Sequence, residues 1–428
     1  MVMPDHSSRG GGSGTCSDIV TILDVAAPWA GLGRLRHHRV IAVVVGAAVT
    51  GLLLTRLLVT GNALDRVWAE DGAVYLAEFT RHGLASLGYA YAGYLQVPSR
   101  LIVLVGLALP LRDFGAWCVV SSSVVTGLLA TFSFLVARRM TGSSIWAAVA
   151  GLSMALVPAL SLESLGALAN LQWFLIPAAG WALLLPPRPG ATLRAGAVTV
   201  ALAAALASPL AVFVLPAALV NGRRTLRAWP VWALLVGLVC QALAARFAPA
   251  SRPPSPRAWH LSAQDIKPML RGLLGPGVRP GQHLLTWLVV VMVVTVVAAI
   301  VFSGSRSAAA GLMLASAFAF YVSSSFANGH ATPRYAGCAS MLLAGAFALQ
   351  APAARPLTAV SALMVPVGLA VLSFPAQPYR LSGPSWSQSV RQAQHACQQR
   401  STYVAGALVS PVHFGAARLV CRSQLLHF

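Results

Sequence analysis

The chain has 428 residues, of which 57% are hydrophobic and 9% are charged, against about 25% charged in an average soluble domain. With a mean hydropathy of +0.72, this excludes an ordinary soluble globular protein, a disordered chain and a nucleic-acid module, and it points to a polytopic membrane protein. A net charge of +20 would suggest nucleic acid in a soluble chain, but here the basic residues punctuate apolar stretches, where they set topology and meet anionic lipid.

Residues 1–38 are Gly/Ser-rich around Gly10–Gly14 and are expected to form a disordered cytoplasmic tail. The first apolar run, 40–59, has no small-residue cleavage site after it and reads as a retained anchor. Further spans are predicted at 115–136, 144–162, 168–186, 229–247, 284–303, 308–326, 336–350 and 357–374. Segment 98–111, bracketed by Pro98 and Pro110, is too short to span and is predicted to lie along the outer interface as a juxtamembrane helix. Ser208-Pro209 breaks 195–220 into two pieces, each reaching about 18–20 Å as a helix against a core of about 30 Å. A broken helix at membrane depth is tolerated where protein or a wet cavity covers it.

Short-loop arginines orient the chain. Arg34, Arg36 and Arg39, then Arg138 and Arg139, Arg188 and Arg194, Arg223, Arg224 and Arg227, Arg306 and Arg355 fall on alternate connections. All share one face if the N-terminus is cytoplasmic. Counting the broken stretch twice gives about eleven spans and an outside C-terminus. Asp65, Glu70, Asp71, Glu78, Asp113, Glu163 and Asp265 then all fall outside, with only Asp5, Asp18 and Asp24 inside. Any chemistry is expected on that outer face. Lys267 is the single lysine, the codon signature of a GC-rich genome, so a bacterial inner (plasma) membrane is the expected location.

The domain plan is the tail 1–38, a transmembrane domain 39–375 and a small extracytoplasmic domain 376–428. Cys397 and Cys421 share that last segment in an oxidising compartment, so a disulfide is predicted there. Pro384-Ser385-Trp386-Ser387-Gln388 offers a Ser-x-x-Gln box opening a helix toward Cys397, and 402–421 alternates like a β-hairpin. The expected fold class is an all-α polytopic membrane protein with a small α/β tail. Cys118, Cys240 and Cys338 read as small hydrophobes within spans.

Four constellations can carry chemistry. In Trp68-Ala69-Glu70-Asp71-Gly72 two acids follow the first span. A carboxylate there can act as general base toward a hydroxyl, or hold a divalent cation (Mg, Mn or Ca) together with Glu163. The bland alternative is a pair of acids favouring a helix dipole. Tyr91, Tyr94 and Arg100 suit a sugar or headgroup platform, or simply an aromatic belt. Glu163, Asn170, Gln172 and Trp173 interrupt an apolar hairpin and face either a cavity or a partner helix. In Asn328-Gly329-His330-Ala331-Thr332-Pro333-Arg334-Tyr335, Arg334 can grip a phosphate with His330 beside it, or can snorkel from a surface turn. The basic loop 248–283, with Lys267 and Arg271, also suits a phosphate or anionic lipid. No zinc-like Cys/His spacing, no GxSxG and no phosphate-binding Gly loop is present.

On Trp68-Ala69-Glu70-Asp71-Gly72 after the first span, with 73–111 able to supply juxtamembrane helices, the chain resembles the GT-C fold glycosyltransferases. The resemblance covers 40–375 by layout and about a dozen residues by motif. It departs from the commoner Asp-Glu order. It implies transfer of a sugar from a polyprenyl-phosphate donor to an envelope lipid or glycan acceptor on the outer face, without nucleic acid. One acid, with Asp71 the first choice and Glu70 the second, serves as base. Arg334, His330, Tyr335, Lys267 and Arg271 are the candidates for the donor phosphate. The other classes are a lipid-linked glycan flippase or exporter, which needs polar groups along a full path, and a non-catalytic envelope scaffold, which needs no acids at 70 and 71.

Overall fold

A computed structural model describes residues 27–59, 61–157, 164–186, 189–252, 308–328, 333–353, 383–399, 404–410 and 416–421. The spans expected at 284–303 and 357–374, and the residues Glu163, Lys267, Arg271 and His330, lie outside these.

Helix α1 (Ala27–Val59) begins well before the expected anchor. Residues 27–38, expected to belong to a disordered tail, are helical. The first loop then folds locally. It contains a π-helical turn (Asp71–Leu76), α2 (Ala77–His82), the short strand β1 (Ala90–Tyr91) and α3 (Val97–Gly106). Pro98 sits in the first turn of α3, where its missing N–H has no cost. Next come α4 (Phe114–Thr141), α5 (Ser144–Leu156), α6 (Gln172–Leu184) and α7 (Ala191–Ala207). The break at Ser208-Pro209 is present: Ser208 is extended, and a 3₁₀ helix, Pro209–Arg227, follows. The first piece is longer than hydropathy predicted, 17 residues, because Thr192 and Arg194 are accommodated at its exposed start. At about 1.5 Å per residue it reaches about 25 Å. Beyond lie α8 (Trp229–Phe247), β2 (Ala250–Arg252), α9 (Ala308–Asn328), α10 (Pro333–Gln350) and α11 (Trp386–Gln399), closed by the antiparallel hairpin β3 (Val404–Leu408) and β4 (Ala416–Val420).

Among the described residues four helices are long and apolar enough to cross a membrane: His38–Val59, Leu111–Thr141, Trp229–Phe247 and Ala308–Ser325. The remaining helices of the expected larger count are shorter, are less apolar, as α10 is, or lie outside the described residues. Helix α8 shows the pattern that distinguishes a lipid-facing helix from a core helix. Trp229, Trp232, Val236, Val239, Leu243 and Phe247 recur at helical spacing and are all exposed. Water would not tolerate so continuous an apolar stripe on a soluble monomer. By contrast, every residue of α6 is buried, so this helix is the core around which the others pack.

Helices α1 and α4 cross through two glycines. A Cβ on Gly46 would lie 2.7 Å from the Gly127 carbonyl oxygen, and one on Gly127 would lie 2.6 Å from the Gly46 oxygen. Thr50 and Thr131 fold their hydroxyls back onto the Gly46 and Gly127 carbonyls, each at 3.0 Å. This small-residue approach fixes the first two long helices against each other, and with them both ends of the first loop.

Candidate active site

Three of the contacts that hold the first loop come from Gln241, β2 and Leu168. The Gln241 side chain, from α8, imitates a neighbouring strand: its Oε1 accepts the Leu95 N–H at 2.8 Å, and its Nε2 donates to the carbonyls of Leu95 at 3.2 Å and Ala205 at 2.9 Å. Strand β1 pairs in parallel with β2 just beyond α8. The Ser99 hydroxyl donates to the Leu168 carbonyl at 2.6 Å.

Asp71 is wholly buried. Its Oδ2 accepts the Leu168 N–H at 2.9 Å and its Oδ1 the Ala169 N–H at 2.8 Å. A carboxylate across two successive amides at the start of the 3₁₀ turn Leu168–Asn170 ties the first loop to the entrance of α6. Asp71 was the sequence's first choice for the base. Both of its oxygens are engaged by backbone donors and the residue is wholly buried.

Glu70 is placed differently. It is half-buried, Tyr91 Oη donates to its Oε1 at 3.4 Å, and its buried Oε2 has no hydrogen-bond partner. The π-helical turn that follows, closed by Ala77 N–H on the Gly72 carbonyl, puts an extra residue into one turn and re-aims the side chains before and after it. Tyr75, in that turn, is wholly buried with an unpartnered hydroxyl, and its ring meets the edge of Tyr91 at 6.4 Å between centroids. Burial first, and then the nearby Tyr94, Glu70 and Asp71, push the Tyr75 phenol well above its ordinary value against the opposing pull of Arg100. It is therefore a permanent donor. Tyr91 and Tyr94 flank a tight turn closed by Tyr91 N–H on Tyr94 O at 2.9 Å and the reverse bond at 3.2 Å. Ala92 in this turn has a φ of +52°, a left-handed conformation costing roughly 1–2 kcal/mol for a residue with a Cβ.

Arg100, on α3, is wholly buried over the Tyr75 ring, its guanidinium carbon 4.8 Å from the centroid. Its Nη1 forms an ion pair with Glu78 Oε2. Its Nε and Nη2, the two donors of the fork's side edge, are without partners, as is Glu78 Oε1. Unpartnered buried donors on a charge are costly, so such an edge calls for an acceptor.

The second cluster is joined to the first through the 164–173 stretch. Asn170 Oδ1 accepts Trp173 Nε1–H at 3.0 Å, and the Trp173 ring meets Tyr335 edge-on at 5.2 Å and Phe320 at 6.2 Å. Tyr335 is buried, and the half-buried Arg334 holds its guanidinium carbon 5.5 Å from the Tyr335 centroid. Gln172 is buried with Oε1 unpartnered. The sequence-selected Asn170, Trp173, Tyr335 and Arg334 thus form one series of contacts, and Asp71 is tied to the chain just before Asn170 through the Leu168 and Ala169 amides.

Reading the sequence missed three features. The Glu78–Arg100 pair has only its 22-residue separation as a signal. Ser122, Ser123 and Thr126 line a narrow cleft of about 10 Å³ between α1, α4 and residues 164–167. They were visible as hydroxyls in an apolar helix, although each donates back to its own helix at 3.1, 2.8 and 2.8 Å. The third is Gly72, whose missing side chain admits Val409: its Cγ1 would lie 2.6 Å from a Cβ there. Among the described residues no three His, Cys, Asp or Glu side chains gather in a metal-binding arrangement. No protein-family model, curated protein or solved structure matches the chain.

Proposed function

We propose that this protein is a polytopic membrane glycosyltransferase of the GT-C type. It moves a sugar from a polyprenyl-phosphate donor to an envelope lipid or glycan acceptor on the extracytoplasmic face of a bacterial inner membrane. The observation that carries the reading is the set of buried polar atoms without partners in the first loop: Glu70 Oε2, Tyr75 Oη and the Nε/Nη2 edge of Arg100. They lie between two helices apolar enough to span a membrane. An acceptor, a neutral donor and a cationic fork, framed by the Tyr91 and Tyr94 rings, match a polyhydroxylated, phosphorylated substrate.

In this mechanism Glu70 is the base. The acceptor hydroxyl oxygen attacks the anomeric carbon, its proton passes to Glu70, and the bond from that carbon to the phosphate oxygen breaks. Polyprenyl phosphate leaves with the electron pair, and a guanidinium stabilises its developing charge. Arg334 remains the candidate for that contact; His330, Lys267 and Arg271, the other candidates, lie outside the described residues. Asp71 holds the loop so that Glu70 is presented.

The test is mass spectrometry of envelope glycans from cells lacking the protein and from cells complemented with wild type or Glu70→Gln. The reading expects loss of one glycan substituent, restored by wild type and not by the variant. Unchanged glycans on deletion, or full restoration by Glu70→Gln, would refute it.

A further inference from the structure

The C-terminal segment is seated on the acidic loop at its start, around residues 65–80, and at its end, at Leu111 and Phe114. The Asp65 carboxylate receives Ser385 Oγ–H at 2.5 Å and Ser387 Oγ–H at 2.8 Å on Oδ2, and the Ser387 N–H at 2.7 Å on Oδ1. Asp65 therefore caps α11 from more than 300 positions away in the chain. Trp386 is wholly buried, donates Nε1–H to the Leu111 carbonyl at 2.7 Å, and lies against Phe114 at 6.2 Å. The Ser410 N–H donates to the Val67 carbonyl at 2.8 Å, and Trp68 bridges Ser410 in parallel. Thr80 Oγ1 reaches the Arg418 carbonyl at 3.4 Å. These contacts come before, at and after Glu70-Asp71.

The point of closest approach is Gly72, immediately after the acidic pair. A Cβ there would stand 2.6 Å from Val409 Cγ1 and 2.9 Å from Val67 Cγ1. Val409 is itself 1% exposed, so it has no room to retreat. The helix and hairpin that present Val409 are joined by the Cys397–Cys421 disulfide, which closes a loop of 24 residues and restricts the alternatives open to the segment.

We propose that the C-terminal module is a positioning element for the acidic turn. Val409 and Ser410 set the π-helical register that presents Glu70, and the Cys397–Cys421 bond fastens them there. Any effect on turnover rests on the glycosyltransferase reading; the structural coupling does not.

The test is amide hydrogen exchange on the purified full-length protein, comparing wild type, Cys397→Ser/Cys421→Ser, Gly72→Ala, Val409→Ala and Gly72→Ala/Val409→Ala. Opening the disulfide should make the amides of 67–76 exchange at least about tenfold faster while those of α6 are unchanged. Gly72→Ala should do the same with the disulfide intact, and adding Val409→Ala should return most of the protection, because it removes the atom the new Cβ meets. That rescue distinguishes seating from general instability. If the double serine variant does not fold, the Gly72/Val409 pair alone decides. Additive effects of Gly72→Ala and Val409→Ala, or unchanged exchange at 67–76 when the hairpin opens, would overturn the proposal. If exchange couples as described and wild type transfers no sugar, the positioning stands and the enzymatic reading falls.

Discussion

Replacing Asp71 with Asn separates the two acids of the motif. The carboxylate accepts two backbone amides at 2.9 and 2.8 Å. An Asn side chain has one acceptor oxygen, so its amide nitrogen must face the other N–H. The change removes one charge-assisted hydrogen bond, about 1.5–3 kcal/mol, and strands a buried donor, about 1–3 kcal/mol. Partial relaxation brings the expected total to roughly 2–4 kcal/mol. At about 1.4 kcal/mol per decade, the Leu168 and Ala169 amides should exchange about 30- to 1,000-fold faster. Glu70→Gln disturbs a single contact of 3.4 Å with Tyr91 and should cost less than about 1 kcal/mol. Both variants would be solubilised in the same detergent, and thermal midpoints and peptide-resolved exchange compared with wild type. Asp71→Asn should lower the midpoint by several degrees and expose 168–169, with Glu70→Gln close to wild type. An Asp71→Asn protein with an unchanged midpoint and protected amides would refute the holding role and return Asp71 to the catalytic position.

Gly127→Ala places a methyl 2.6 Å from the Gly46 carbonyl oxygen. Overpacking of this kind costs roughly 1–3 kcal/mol, and Gly127→Leu should abolish a monodisperse peak in size-exclusion chromatography of detergent extracts. The Asp65 carboxyl is held below its ordinary value of 3.8: burial pushes it up, but hydrogen bonds from Ser385 and from the Ser387 N–H and hydroxyl, with Arg66 nearby, outweigh that. A depressed value stabilises docking above the ordinary carboxylate range and loses that stabilisation as pH falls through it. Exchange protection of α11 should accordingly drop below about pH 4 in wild type. In Asp65→Asn it should already be reduced at neutral pH and change less with acid. Arg81 and Arg139 are both exposed and are expected on opposite sides of the membrane. An impermeant thiol reagent applied from outside should label Arg81→Cys and spare Arg139→Cys; the reverse result would remove the outer active site.

What the sequence made legible follows from which interactions are local. The break at Ser208-Pro209, the short helix after Pro98, the Ser385 box and the pairing of Cys397 with Cys421 are encoded within a few residues or by cysteine alone, and all are present. The first anchor, read at 40–59, matches the apolar span His38–Val59, but the helix continuing back to Ala27 was not legible, because hydropathy detects an anchor and not the helix before it. At the site, residue types near Glu70-Asp71 were readable, but their different surroundings were not. Those depend on whether a carboxylate meets backbone donors 97 and 98 residues away. The same is true of Gly72, whose small size answers to Val409, and of Asp65, whose partners are 320 and 322 residues distant. Long-range backbone contacts leave no periodic trace in composition.

The most direct measurement is sugar transfer by the purified protein. Radiolabelled polyprenyl-phosphate hexoses and pentoses would be supplied with an envelope lipid extract as acceptor, and label followed into the acceptor fraction. The account predicts transfer by wild type from one donor, with Glu70→Gln folded and slower by about 10²–10⁴-fold, the range of general-base assistance. Arg334→Ala should instead raise the donor KM. Near-normal transfer by folded Glu70→Gln, or no transfer from any donor by folded wild type, would contradict it.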